Sequence, residues 1–131
     1  MKSIIWTDNE TLAEKLMRQV VGDQTIIRRW KTASEYCIEY GEDDNIVHWF
    51  RPTNTRRGFR CDVSYIDVDT CSLQVITETI EPLTSFGKYG RYFYFSGGEQ
   101  LTNDEQLKWI KSVLAHRADV QDHKHDGNRL E

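Results

Sequence analysis

The densest group of chemically capable side chains lies in 45–68, NIVHWFRPTNTRRGFRCDVSYIDV. If Pro52–Arg57 form the loop of an antiparallel hairpin, Arg51 pairs with Gly58, Phe50 with Phe59 and His48 with Cys61. Alternation along each strand then places Ile46, His48, Phe50, Phe59, Cys61, Val63 and Tyr65 on one face. Val47, Trp49, Arg51, Arg60, Asp62 and Ser64 fall on the other. The first set is mostly apolar and is expected to face the core; the second is mixed and is expected to be partly wet. In this register His48 and Cys61 stand ~5 Å apart at Cβ, and an imidazolium beside a thiol favours a thiolate nucleophile. The same two residues also suit an apolar face, the thiol packing as a small hydrophobe. A working site further needs exposure and an oxyanion hole.

The wet face and tip of the same hairpin carry Arg51, Arg56, Arg57 and Arg60, with Trp49 beside them. Guanidinium forks match phosphate or carboxylate. Two partner classes follow: single-stranded RNA or DNA stacked on Trp49, or a protein for which Arg and Trp act as anchors. A solvated turn, with its arginines paired to local acids, is the plainer alternative. Asp67 and Asp69 share a side at a strand end, with Asp62 near in sequence, so a divalent ion is conceivable; two such acids also serve as ordinary turn formers. His116, His123 and His125 cluster towards the C-terminus without closed geometry, and Gly87-Lys88-Tyr89-Gly90 lacks phosphate-loop spacing. No metal or cofactor is expected.

The elements that must hold these residues are read from periodicity. Ile4-Ile5-Trp6 is either a short strand or a hydrophobic lead-in. Thr7-Asp8-Asn9-Glu10 has the T-x-x-E capping-box spacing ahead of Leu12, Ala13, Leu16, Met17, Val20 and Val21, an amphipathic helix stopped by Gly22. Strands are expected at Thr25–Lys31, Glu35–Tyr40, Asn45–Arg51, Phe59–Val68, Cys71–Thr79 and Tyr89–Phe95. The gaps between them are too short for a crossover helix, so neighbours are expected to pair antiparallel. In the last strand Tyr92 and Tyr94 are exposed unless a helix covers them. A second box, Thr102-Asn103-Asp104-Glu105, opens a helix with Leu107, Ile110, Val113 and Leu114 on one face.

The expected fold is therefore α+β: a single antiparallel sheet of about five to six strands with an N-terminal and a C-terminal amphipathic helix packed on it. Residues 1–118 form the domain, and 119–131 a polar tail whose final Leu130-Glu131 resembles a cloning remnant. The 131 residues suit one core, and 11% aromatic content argues against disorder. A net charge of −4 disfavours whole-surface attraction to nucleic acid or anionic membrane. No apolar run approaches a membrane span or a signal peptide. Cys37, Cys61 and Cys71 are odd in number and suit free thiols in a reducing cytoplasm.

These features favour a non-catalytic interaction protein, an adaptor or stoichiometric inhibitor. It would dock on a protein partner through Trp49, Arg51, Arg56, Arg57 and Arg60, or through the aromatic sheet face. Nucleic-acid binding through the same hairpin and a small Cys-His enzyme are the alternatives, and an exposed edge strand leaves a homodimer open.

Overall fold

The computed structural model describes residues 1–32, 35–52, 60–84 and 91–129, with side chains in the last helix described through His116 and at Ala118. Seven strands form one mixed sheet in the order β2-β3-β4-β1-β5-β6-β7. They are β1 (Lys2–Trp6), β2 (Ile26–Lys31), β3 (Glu35–Tyr40), β4 (Asn45–Phe50), β5 (Val63–Asp67), β6 (Arg91–Ser96) and β7 (Glu99–Gln100). β1 runs parallel to both β4 and β5, and β5 parallel to β6, while β2–β3, β3–β4 and β6–β7 are antiparallel. The α+β class holds, but the all-antiparallel sheet does not.

Two local features produce that difference. The first is β1. Its continuous apolar run Ile4-Ile5-Trp6 is fully buried on both faces, the pattern of a central parallel strand rather than of an alternating edge strand. It inserts between β4 and β5, so the hairpin expected over 45–68 does not form. The second is Cys71–Thr79, expected as a strand from its β-branched residues. It folds instead as α2 (Leu73–Val75), continued by a π-helical turn (Ile76–Ile80) and α3 (Glu81–Thr84). Ser72 caps this segment by accepting from the Val75 amide at 3.1 Å. Its buried residues Ile76, Thr79, Ile80, Leu83 and Thr84 repeat at helical spacing. Pro82 has no N–H to return to the preceding turn, and it follows the π turn by two residues. This segment is the crossover that lets β6 run parallel to β5.

α1 (Glu10–Val21) lies over β1 and β4 on one face. Leu12, Ala13, Leu16, Met17 and Val21 pack there on Ile5, Ile38, Tyr40, Val47 and Trp49. Complete burial of each such aliphatic side chain contributes about 1.5–3 kcal/mol. The opposite face packs Ile4, Trp6, Phe50, Ile66 and Tyr94 against Ile76, Ile80, Leu83 and Val113. Tyr94 is therefore buried and Tyr92 half-buried under helices, its hydroxyl donating to Glu81 O at 3.2 Å. α4 (Asn103–Arg129) packs on α2 and the π turn. Its backbone continues as helix through the stretch expected as a tail, and Leu130-Glu131 lie outside the described residues. No helix among the described residues is long and apolar enough to cross a membrane.

The second capping box forms as expected. The Glu105 amide donates to Thr102 Oγ1 and the Thr102 amide to Glu105 Oε1, both at 3.3 Å. At the first helix the cap is Asn9, whose Oδ1 accepts from the Leu12 amide at 3.2 Å. Thr7 serves a different purpose, described below. Gly22 closes α1 at φ 57°, its amide donating to Arg18 O, and a side chain there would be strained.

Candidate functional site

With β1 between them, His48 and Cys61 are not cross-strand neighbours, and the expected dyad does not assemble. His48 stands opposite Cys37 instead, with Nε2 3.8 Å from Sγ, and stacks on Phe50 at 5.3 Å. Cys61 Sγ lies 3.4 Å from Ser64 Oγ and 3.7 Å from Thr84 Oγ1. These two hydroxyls are 2.7 Å apart, and Ser64 Oγ also accepts from Trp6 Nε1, so the cluster bolts α3 to the sheet. All three thiols are buried. Burial pushes Cys37 and Cys71 up to about 12 and raises Cys61, the opposite of nucleophile activation.

The arginine-rich set is also redistributed. Trp49 is 1% exposed, packed under α1, with Nε1 donating to Thr7 O at 2.8 Å. Its burial corrects the expectation of a wet stacking surface: both faces of β4 are covered. Arg51 stays at the surface, its guanidinium over the Trp49 ring at 4.9 Å and donating to Asp8 O at 2.9 Å. Arg60 is exposed. Arg56, Arg57, Phe59 and the loop 87–90 lie outside the described residues, as do the side chains of His123 and His125.

Asp67 and Asp69 sit where the parallel strands end, at the carboxyl edge where open α/β sheets commonly bind ligands. Here the edge is closed by its own hydrogen bonds. Thr7 Oγ1 donates to Asp67 Oδ2 at 2.6 Å and accepts from the Asn9 amide at 2.9 Å. Thr70 Oγ1 also donates to Asp67, and the Asp69 amide donates to its other oxygen. Asp69 accepts from the Gly97 amide at 2.7 Å and from Ser96 Oγ at 2.8 Å, bonds that lower its pKa. Asp62 accepts from the Lys2 amide. The three acids thus accept from backbone amides and hydroxyls of their own turn, the Gly97 turn and the start of β1, and no metal-ligating cluster occurs among the described residues.

The open ground lies elsewhere, on the flank formed by α1 and the terminal strand β2. α1 sits over β1 and β4 and reaches Ile38 and Tyr40 of β3, while the same side of β2 is left open. The result is a groove of about 450 Å³ lined by Glu14, Met17, Arg18, Val21, Gly22, Ile26, Arg29, Tyr36 and Ile38. One end is clasped by Lys31, which meets Glu10 at 2.5 Å and Glu14 at 3.8 Å. The Glu10 contact raises the Lys31 pKa and lowers that of Glu10. Below the clasp the floor is apolar and the rim carries Arg18 and Arg29. On the outer side Ile27 is 64% exposed, and Arg28 bonds Glu39 at 2.8 Å while covering the Trp30 ring. The sequence signal for this flank is Ile26-Ile27-Arg28-Arg29-Trp30-Lys31, β-prone residues with no period-two alternation, as befits a charged edge strand. No protein-family model matches this chain, and neither the curated proteins nor the solved structures yield a match to it.

Proposed function

We propose that this chain is a non-catalytic interaction protein, an adaptor or stoichiometric inhibitor that binds a protein partner. One contrast carries the reading. The thiols and the aspartates at the carboxyl edge are spent on packing and turns, whereas a cationic, apolar-floored groove and an exposed edge strand face solvent. Aromatic and arginine side chains beside apolar ground suit the centre of a protein interface. The chain's overall acidity argues against a phosphate-binding mode, which relies on many positive contacts.

Affinity purification of the full chain from its native cells, followed by size exclusion of the recovered complex, tests this. A protein recovered in fixed stoichiometry is the expected result. Recovery of RNA or DNA that salt displaces, or only of further copies of the chain itself, would sink it. Arg56→Glu with Arg57→Glu, in the same experiment, tests these two arginines as the contact. Retained capture at an unchanged melting temperature removes them from the interface.

A further inference from the structure

Within that protein-binding reading, we infer that the groove between α1 and β2 receives an acidic segment of the partner, carrying a bulky apolar side chain flanked by carboxylates. The argument rests on which cations are already spent. Lys31 is held by Glu10 and Glu14, Arg28 by Glu39, and Arg51 by Asp8. Arg18 and Arg29 form no ion pair among the described residues, and both line the groove. In a chain of net charge −4, a groove lined by two guanidiniums and one carboxylate, Glu14, is locally cationic. Guanidinium forks pair most strongly with carboxylates.

The apolar lining is Ile26, 38% exposed, above the edges of the core residues Met17, Val21 and Ile38, with Tyr36 beside them. Such a lining rewards removal of an apolar side chain from water, and methionine adapts to several shapes. The groove is partly open to solvent and is bordered by the terminal strand through Ile26 and Arg29. A peptide-like occupant fits this shape better than an enclosed small molecule. Glu14 is engaged by Lys31, and the partner's acids are assigned to Arg18 and Arg29.

Amide chemical-shift titration of the full chain with two synthetic peptides of equal length tests the inference. One has a central Leu-Phe flanked by Asp and Glu; the other carries Lys at each acidic position. The acidic peptide is expected to move the amides of Met17, Val21, Ile26, Arg29 and Ile38 saturably. Added salt should weaken it, and Arg18→Glu with Arg29→Glu should weaken it about tenfold or more. Arg18→Gln with Arg29→Gln provides the same comparison if the double reversal does not fold. Equal binding of the lysine peptide, shifts confined to another surface, or unchanged affinity in a folded variant would overturn the assignment. The partner recovered by affinity purification separates the two ideas. If a folded Arg18/Arg29 variant still binds it with full affinity, the protein-binding function stands and the groove is excluded; if no protein partner is recovered, both fall.

Discussion

At the residue scale, Thr7 and Asp67 show how one side chain can be misread when its partner is distant in sequence. Thr7 has cap-like spacing, yet its hydroxyl joins Asp67, 60 positions away, its carbonyl takes the Trp49 indole N–H and its amide meets Phe50 O. It ties the ends of β4, β1 and β5 together. Asp67→Ala strands the Thr7 and Thr70 hydroxyls and an amide, so a loss of about 2–3 kcal/mol is expected, read from urea unfolding. A change below about 0.5 kcal/mol would show that the bonds are incidental. The thiols set a second expectation. Their folded pKa values are raised, so the native state keeps protons that the unfolded chain releases, and stability falls as pH rises. For Cys37 and Cys71 the loss runs from 9.0 towards about 12. The urea midpoint should decline across that window, and iodoacetamide should label the native thiols far more slowly than the unfolded ones. Fast native labelling of any one of them would contradict the burial argument.

At the element scale, helix ends were legible where the cap is local and misplaced where a tertiary bond competes. Thr102 and Glu105 satisfy one another within one turn, so their spacing was enough. At α1 the cap moved to Asn9 because Thr7 is committed to Asp67. Asn9→Ala and Thr102→Ala should each cost about 1 kcal/mol, measured as a lowered melting temperature; Thr7→Ala should cost more than either, because it breaks the strand-end tie. If Thr7→Ala proves the mildest of the three, the strand-end tie is incidental to stability. Cys71–Thr79 reads as a strand because valine, isoleucine and threonine favour strands when counted by type. The buried positions of the segment, Ile76, Thr79, Ile80, Leu83 and Thr84, repeat at helical spacing, and that spacing decides what is buried.

At the scale of the whole molecule, the consequence is a sheet organised around its first strand. β1 is flanked by strands on both edges and covered on both faces, whereas β2 is a terminal strand exposed along most of its length. Hydrogen exchange should therefore be slowest at Ile4, Ile5 and Trp6, opening only with global unfolding, and fastest among the long strands in β2. Exchange of β2 as slow as that of β1 would require a cover that the monomer lacks. The same exposure is what leaves the groove accessible to a partner.

The sequence by itself determined the α+β class, both long helices, and most strand positions from β2 to β6, because these follow from local spacing, turn residues and caps. Only the tertiary structure decided strand order and direction, and with them which side chains meet. A run such as Ile4-Ile5-Trp6 carries no period that says what flanks it. Inserting it between β4 and β5 parted His48 from Cys61 and left Trp49 buried. Chemistry read along the chain presumed neighbours, and pairing across the sheet chose others.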